Sequence, residues 1–343
     1  MSDESEIVVA TAADEGYAIP LAVTLRSAVS AMRPETKMRL VVLDGGITPE
    51  SRGRLMAAVK DPRVRVDWLL QDTAVLDGLP VFGHVTVAAY LRLLLPKILP
   101  TSIERVIYLD SDMLVRRDLS DLWAESQDDA PILAVQDIAA PWMNSEVVAD
   151  NYAQRFPYLA AAKPVANYEQ LGIRPEAPYF NSGLLVMNLT QWREEQIAEQ
   201  VMQCLIDQHE HVLWWDQYAL NVVLADRWRA LDFRWNQGAH VYAFPSWRQS
   251  PVGRDAFNQL RCDPWIVHFC SPEKPWHAAC GHPFRREFFA TLDTTPWRGW
   301  RSIAKPGDRG LIARQHRRKL KNTLHHSLLN ASERVRELWK RAS

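Results

Sequence analysis

Short apolar runs alternate with segments of helical periodicity through the first third of the chain. The runs that predict strands are residues 7–10, 38–43 and 64–68. Apolar positions at helical spacing follow the first run, and a second helix opens with Thr48 as its N-cap. Strands alternating with helices of about 10–15 residues predict an α/β fold with a mostly parallel sheet. Ligands of such sheets bind beyond the carboxyl ends of the strands, where Asp14, Asp44 and Asp110 lie.

The rest of the pattern predicts more strands, further helices and one long connection. The strands are expected at 106–109, 132–137, 184–188 and 265–269. A helix at 85–95 is expected to stop at Pro96, and another is expected to begin with Thr190 as its cap. The irregular segment 139–178 is long for a connection in a compact domain, so we interpret it as the wall of a pocket.

Composition places the chain among globular proteins of a reducing compartment. It has 343 residues, of which 47% are apolar, enough for one large α/β domain with an appendage. The four cysteines form no CxxC pair, which argues against a disulfide framework and against a structural zinc site. The acidic start, residues 1–6, does not resemble a signal peptide, and no apolar run approaches the roughly 18 residues of a membrane span. We therefore expect a cytoplasmic protein.

The last 46 residues are strongly basic, in contrast to the rest of the chain. Residues 298–343 hold 13 Lys and Arg against three acids, which leaves residues 1–297 at a net charge of about −11. Leucine and tryptophan recur among the basic residues at roughly helical intervals, a pattern that favours an amphipathic helix on an anionic membrane. A solvated basic helix and a dimerisation arm are the plainer alternatives. Aromatic residues are too sparse here for stacking on a nucleic-acid strand, so we expect no nucleic-acid partner.

The stretch 106–115 carries the strongest chemical signal from the residues themselves. An apolar strand runs directly into Asp110 and Asp112, and a second apolar run follows them. Residues two apart project to the same side of an extended backbone, so the two carboxylates can converge on Mg²⁺ or Mn²⁺. A cation held by two side chains keeps positions open for a phosphate. Taken alone, the pattern is more typical of a polar turn that caps a buried strand.

Six motifs in order resemble glycosyltransferase family 8 over roughly residues 6–295. They are AADEGY at 12–17, HVTVAAYLRL at 84–93, YLDSD at 108–112, YFNSGLL at 179–185, WDQ at 215–217 and HFCSPEKPW at 268–276. The resemblance implies a GT-A fold, which is a Rossmann-like, mixed but mostly parallel sheet flanked by helices. It also implies a retaining, nucleotide-sugar-dependent enzyme that spans residues 1–297, with 298–343 as a membrane-association tail.

The resemblance assigns three metal ligands, Asp110, Asp112 and His268. Imidazole is softer than magnesium prefers, which favours Mn²⁺ over Mg²⁺. Without the resemblance, a buried histidine at a strand end is the favoured interpretation of His268. The residues implied to contact a UDP-sugar are Ala12, Asp14, Tyr17, His84, Arg92, Ser111, Asp137, Asn181, Asp216, Gln217, Ser271 and Lys274.

Several of these residues have implied roles and open alternatives. Asp14 is implied to read the nucleobase, but it is also a natural helix cap. Arg92, inside an apolar segment, requires a partner, either an aspartate at a strand end or a ligand anion. Lys274 is implied to contact the leaving phosphates, and an ordinary surface lysine is the alternative. Ser271 replaces a glycine that is common in the family, and Gly16 replaces an asparagine of some members, so one nucleotide contact is in doubt.

Asp216, Gln217 and Lys274 are the residues implied to act on the reacting atoms. The resemblance favours attack by the acceptor hydroxyl on the face that the diphosphate leaves, with Gln217 stabilising the cationic sugar; a helix-capping amide is the alternative for Gln217. The expected reaction moves galactose or glucose from a UDP-sugar to a lipopolysaccharide core or another surface glycan, at the inner face of the cytoplasmic membrane. Alternatives are a self-glucosylating or polyol-specific transferase, an inactive nucleotide-binding member, or a nucleic-acid-binding protein that uses the tail.

Overall fold

The structure, a computed structural model, describes residues 6–70, 73–80, 87–149, 156–278 and 280–303. Its strands within these ranges are β1 Ile7–Ala13, β2 Met38–Asp44, β3 Val64–Leu70, β4 Arg105–Leu109, β5 Met113–Val115, β6 Ile132–Gln136, β7 Phe180–Asn188, β8 Trp228–Ala230, β9 Gln237–Gly238 and β10 Ile266–His268. The predicted site residue His84 and the tail beyond residue 303 lie outside the described residues.

Among the described residues, the main sheet has seven strands in the order β3-β2-β1-β4-β7-β6-β8. All pairs are parallel except the two made by β7, which is antiparallel to both β4 and β6. The predicted mostly parallel sheet is therefore confirmed. Strand order reverses beside β1, because β2 and β3 lie on one side of it and β4 on the other. A crevice at the carboxyl ends of β1 and β4 is the expected binding site of such a sheet.

A second, three-stranded sheet has the order β5-β10-β9. Its middle strand β10 is antiparallel to β5, so that His268 pairs with Met113, and parallel to β9, so that His268 also pairs with Gly238. β5 begins one residue after Asp112. This small sheet therefore brings a strand from the end of the domain against the paired carboxylates.

Helices cover both faces of the main sheet. The α-helices are Ala18–Ser30, Pro49–Ala58, Leu95–Ile98, Leu119–Trp123, Ser145–Val148, Leu189–Glu194, Ile197–Asp207, Trp215–Val223, Arg254–Cys262 and Arg285–Leu292, and the 3₁₀ helices are Glu15–Tyr17, Ala74–Leu76, Val87–Leu94, His209–His211, Phe233–Asn236 and Ala239–Tyr242. Successive β4 residues alternate between two hydrophobic cores, with Val106 and Tyr108 in one and Ile107 and Leu109 in the other. This alternation is the two-residue period of a strand buried on both faces.

Three boundaries differ from the sequence prediction. The expected helix at 85–95 is a 3₁₀ helix from Val87, followed by a short α-helix that contains Pro96, because proline is tolerated in a first helical turn. The cap of the Leu189–Glu194 helix is Asn188, whose side chain accepts from the Gln191 N–H, and not Thr190. β7 begins at Phe180, four residues earlier than predicted.

The described chain contains no helix that is long and apolar enough to cross a bilayer. At the carboxyl-terminal end of the described residues, Trp297 is buried in the core and Arg301 pairs with Asp293. The polypeptide is therefore folded against the domain to at least this point.

Asn221 ties the helix Trp215–Val223 to β7, and this contact gives a testable prediction. Its side chain is fully buried, accepts from the Phe180 N–H at 2.8 Å and donates to the Phe180 carbonyl at 2.9 Å. We expect Asn221→Ala to lower the free energy of unfolding by about 2–4 kcal/mol, because it leaves the buried N–H and carbonyl of Phe180 without these hydrogen bonds. Urea denaturation measures this. Gln203→Ala, which removes only an exposed contact to Asp207, should change stability by less than about 0.5 kcal/mol. Equal effects of both substitutions would contradict the assignment.

Candidate active site

A cavity of about 500 Å³ opens at the carboxyl ends of β1 and β4. Every predicted site residue within the described ranges lines it, namely Ala12, Asp14, Tyr17, Arg92, Asp110, Ser111, Asp112, Asp137, Asn181, Asp216, Gln217, His268, Ser271 and Lys274. They come from segments far apart in the sequence. The third predicted strand-end aspartate, Asp44, instead accepts hydrogen bonds from Gly46, Ile47 and Trp68 and is a turn residue.

Asp110, Asp112 and His268 form a three-residue ligand set. Each offers one atom, and the three atoms lie within 4.8 Å of one another. His268 Nε2 is 3.2 Å from Asp112 Oδ1 and 3.7 Å from Asp110 Oδ2. Two carboxylate oxygens and one imidazole nitrogen are a donor set that fits Mn²⁺, and Mg²⁺ less closely. The residues predicted to hold a metal ion therefore fit one in position and in chemistry.

The second oxygen of each aspartate is occupied by a buried cation. Arg92 Nη2 donates to Asp110 Oδ1 at 2.7 Å, and Lys274 Nζ donates to Asp112 Oδ2 at 2.6 Å. The other oxygen of each aspartate, Asp110 Oδ2 and Asp112 Oδ1, faces His268. Lys274 also donates to the Phe269 carbonyl at 2.8 Å, and its side chain is only 8% exposed. It is not an ordinary surface lysine.

Burial and charge act in opposite directions on Asp112 and Lys274. Burial by itself would raise the pKa of the Asp112 carboxyl, but Lys274 and His268 beside it hold that pKa well below its usual range. Burial would likewise lower the pKa of the Lys274 ammonium, but the Asp112 carboxylate outweighs it and raises the pKa. The pair is therefore charged at neutral pH.

Two hydroxyls on the helix Ala18–Ser30 position the loop between the aspartates. Thr24 Oγ1 accepts from the Met113 N–H and lies 2.9 Å from the carbonyls of Ser111 and Met113. Ser27 Oγ accepts from the Val115 N–H at 2.9 Å. Both hydroxyls are buried, and their spacing of three residues places them on one face of the helix. Sequence reasoning missed this pair, although two hydroxyls at that spacing in an otherwise apolar helix were a usable signal.

Gly183 leaves the space that His268 occupies. β7 runs antiparallel to β4, and the Asp110 N–H donates to the Gly183 carbonyl at 2.8 Å. A Cβ at this glycine would lie 2.3 Å from His268 Cε1 and 2.8 Å from Asp110 Oδ2. The requirement for glycine at this position is therefore steric.

Arg92 pairs with aspartates, one of the two kinds of partner that the sequence left open. Besides Asp110, its Nε lies 3.0 Å from Asp216 Oδ2, its Nη1 donates to the Ser182 carbonyl, and its guanidinium lies 4.3 Å from the centre of the Tyr108 ring. It lies between the metal ligand set and Asp216. Its direct role is thus to hold these two carboxylates in place.

Asp216 is buried and incompletely satisfied. The Arg92 Nε–H is directed at the Ala89 carbonyl, so among the described residues Asp216 Oδ2 has no hydrogen-bond donor despite the short distance to Arg92. Burial raises the pKa of Asp216 to about 6, and Arg92 offsets only part of that rise. Asp216 precedes Gln217 in the first turn of its helix, directly after Trp215, whose positive φ of 43° is uncommon for a non-glycine residue.

A hydrogen-bonded network joins Gln217, Asp137 and Asn181. Gln217 Nε2 donates to Asp137 Oδ2 at 3.2 Å, and Asn181 Nδ2 donates to the same oxygen at 3.1 Å. Gln217 Oε1 accepts from the Ser182 N–H at 3.0 Å. Gln217 is thus oriented by β7 and Asp137 and does not cap its own helix.

Asp14 lies in the cavity wall directly after β1. Its carboxylate accepts from the Tyr17 N–H at 3.2 Å and caps the helix Glu15–Tyr17, so the capping role is present and compatible with its place in the cavity wall. A Cβ at Gly16 would lie 3.2 Å from the same carboxylate. Ser271 donates to the Glu273 carbonyl, which stabilises the loop that carries Lys274.

The cavity is also lined by residues that the sequence did not single out. Ala139 and Ala160, from the long irregular segment, line it together with Trp214 and His240. The position of Ala139 and Ala160 agrees with the interpretation of that segment as a pocket wall. No local pattern marks His240, because only the folding of the 3₁₀ helix Ala239–Tyr242 brings it to the cavity.

Comparisons with known proteins agree on one family. The model of "Glycosyl transferase family 8" matches residues 8–280. The chain is 32% identical over 297 residues to General stress protein A of Bacillus subtilis, covering 84% of this chain and 94% of that protein. It is 24% identical over 298 residues to the lipopolysaccharide 1,3-galactosyltransferase of Salmonella typhimurium, covering 86% and 80%. The crystal structure of galactosyltransferase LgtC with donor and acceptor sugar analogues matches with a TM-score of 0.66 at 24% identity, over 89% of this chain and 100% of LgtC, which confirms the GT-A fold.

The steric requirement at Gly183 gives a second prediction. We expect Gly183→Ala to weaken Mn²⁺ binding at least about tenfold, because the added methyl group displaces His268. Titration of the purified protein with Mn²⁺ measures this. Gly53→Ala is the matched control, since a Cβ there meets nothing within 4 Å, and it should bind Mn²⁺ like the parent protein. Unchanged affinity in Gly183→Ala would contradict the proposed ligand set.

Proposed function

This chain belongs to glycosyltransferase family 8, and we propose that it transfers a hexose, galactose or glucose, from a UDP-sugar to a carbohydrate acceptor with retention of configuration. The observation that carries the proposal is the convergence of Asp110, Asp112 and His268 beside Lys274 in one cavity that also contains Asp216 and Gln217. One end of this arrangement suits a diphosphate and the other suits a sugar.

Asp110, Asp112 and His268 would hold Mn²⁺, or Mg²⁺. The ion would supply positive charge that neutralises the diphosphate as the glycosidic bond breaks. Lys274 has its ammonium 2.6 Å from Asp112 and would add a second positive charge at the same place. Arg92 donates a hydrogen bond to Asp110 and so holds this ligand in place, and Arg92 itself lines the cavity.

Asp216 and Gln217 are proposed to face the reacting sugar. Asp216 lines the cavity, and its carboxylate, which is ionised above about pH 6, would accept a hydrogen bond from a sugar hydroxyl. Gln217 is held rigidly by Ser182 and Asp137, so its amide is preorganised beside the position where positive charge would develop. We propose attack by the acceptor hydroxyl on the face that the diphosphate leaves, with a phosphate oxygen taking the proton.

The acceptor is proposed to be a lipopolysaccharide core or another surface glycan. The relatives named as lipopolysaccharide 1,3-galactosyltransferase in Salmonella typhimurium and lipopolysaccharide 1,2-glucosyltransferase in Escherichia coli support this class. Ala139, Ala160, Trp214 and His240 line the same cavity and are proposed to contact such an acceptor. An indole or imidazole face there offers stacking for a sugar ring.

The third prediction tests the donor and the metal together. With a panel of UDP-sugars, we expect UDP release from UDP-galactose or UDP-glucose only when Mn²⁺ or Mg²⁺ is present. Asp112→Asn should lower kcat/KM at least about 100-fold, because it removes a ligand charge and the partner of Lys274. Asp207→Asn, on an exposed helix end, is the matched control and should leave kcat/KM unchanged. Metal-independent turnover, or a fully active Asp112→Asn enzyme, would overturn the proposed site.

The fourth prediction concerns the basic tail, which we propose binds the inner face of the cytoplasmic membrane. A chain ended after residue 303 loses 11 of the 13 basic residues of 298–343 but keeps the folded domain. We expect the truncated chain to lose its binding to liposomes that contain anionic lipid, since each basic residue contributes about 1 kcal/mol to membrane binding. It should still hydrolyse the donor. Co-sedimentation with anionic and with neutral liposomes measures the difference. Lipid binding that survives the truncation would refute the role of the tail.

A further inference from the structure

Asn236 is a buried neighbour of His268 that belongs to none of the family motifs quoted above. It ends the 3₁₀ helix Phe233–Asn236, whose first turn is capped by Asp232, and it is 6% exposed. β9 starts at the next residue and pairs with β10 so that Gly238 lies opposite His268. Asn236 Oδ1 lies 2.9 Å from His268 Nδ1, the ring nitrogen that is turned away from the two aspartates.

The orientation of the neighbouring Asn181 amide is fixed by a backbone donor. Asn181 Oδ1 accepts from the Gly183 N–H at 3.0 Å, and a backbone N–H can only donate. The Asn181 amide nitrogen must then face Asp137, where a carboxylate oxygen accepts from it at 3.1 Å. Both contacts agree with a single orientation of Asn181.

The orientation of the Asn181 amide determines which ring nitrogen of His268 carries a hydrogen. Asn236 Nδ2 donates to the same Asn181 oxygen at 2.9 Å, so the atom that Asn236 presents to His268 is its carbonyl oxygen. An amide oxygen only accepts, and His268 Nδ1 must therefore carry a hydrogen. The lone pair available for a cation is then on Nε2, the nitrogen that faces Asp110 and Asp112.

The orientation of the Gln217 amide, which is proposed to face the sugar, is fixed in the same way. The Ser182 N–H donates to Gln217 Oε1 at 3.0 Å, which directs the Gln217 amide nitrogen to Asp137. Asp137 thus accepts from Asn181 on one side and from Gln217 on the other. The backbone N–H groups of Ser182 and Gly183 fix the direction of every hydrogen bond between Gln217 and His268.

We infer that Asn236 is a positioning residue that holds His268 in the Nδ1-protonated tautomer, with Nε2 directed at the metal ion, and connects this ligand through Asn181 and Asp137 to Gln217. The inference rests on the proposed metal site. Removing the partner that orients a metal-bound histidine typically weakens metal binding by about 10- to 100-fold.

The test is the Mn²⁺ affinity of the full-length protein, measured by calorimetry without donor or acceptor. Asn236→Leu, which keeps the approximate volume but removes the acceptor, should raise the Kd for Mn²⁺ about 10- to 100-fold. Asn236→Asp keeps an oxygen for His268 Nδ1 but loses the donor to Asn181 Oδ1, so we expect it to recover part of the affinity. Asn167→Leu is the matched control, because Asn167 is also a buried, hydrogen-bonded asparagine but contacts Gln208 and Tyr218. It should bind Mn²⁺ like the parent protein, even if its thermal stability falls.

The outcomes separate this inference from the proposed function. A parent protein that binds no Mn²⁺ would refute the proposed metal site and the inference with it. If the parent protein binds Mn²⁺ and Asn236→Leu binds it with the same affinity, the role of Asn236 alone is refuted. If Asn236→Leu does not fold, ¹H–¹⁵N correlation spectra of the parent protein with Mg²⁺ decide the matter: a protonated Nδ1 on His268 supports the inference, and a protonated Nε2 overturns it.

Discussion

Two carboxylates that are held close together at the end of a buried strand repel each other, and much of the site is organised to offset that repulsion. Asp110 and Asp112 each direct one oxygen at His268 and give the other to a buried cation, Arg92 or Lys274. Without those cations the repulsion between the two carboxylates would be uncompensated and would favour a larger separation. With them, the remaining oxygen of each carboxylate faces the place where a divalent ion fits.

The two cations come from different parts of the fold and connect the aspartates to different functions. Arg92 also lies beside Asp216, so it links the proposed metal ligands to a residue that is proposed to face the sugar. Lys274 lies in the loop after β10 and is anchored by the Phe269 carbonyl, so the charge proposed to meet the diphosphate is fixed to the strand that carries His268. A change at either cation would therefore affect more than one contact.

Strand order explains how so many distant residues meet. β4 lies beside β1 and β7, which brings Asp14, Asp110 and Gly183 to neighbouring strand ends. β10 pairs with β5, which adds His268. Buried polar side chains, Thr24, Ser27 and Asn221 among them, hold backbone positions of these strands, and the side chains proposed for catalysis depend on that rigidity.

The sequence by itself indicated seven of the ten strands in the described part of the chain, the parallel character of most of the sheet and many of the residues that line the cavity. Strand patterns and ordered motifs are local, so Asp110, Asp112, Gln217 and Lys274 could be found without coordinates. Contacts between distant segments were decided only by the tertiary structure. The sequence required a partner for Arg92 but did not indicate that Asp110 and Asp216 share it. Nor did any local pattern show that Gly183 leaves room for His268 or that Asn236 lies within hydrogen-bond distance of its Nδ1, because both follow from strand pairing between segments far apart in the chain.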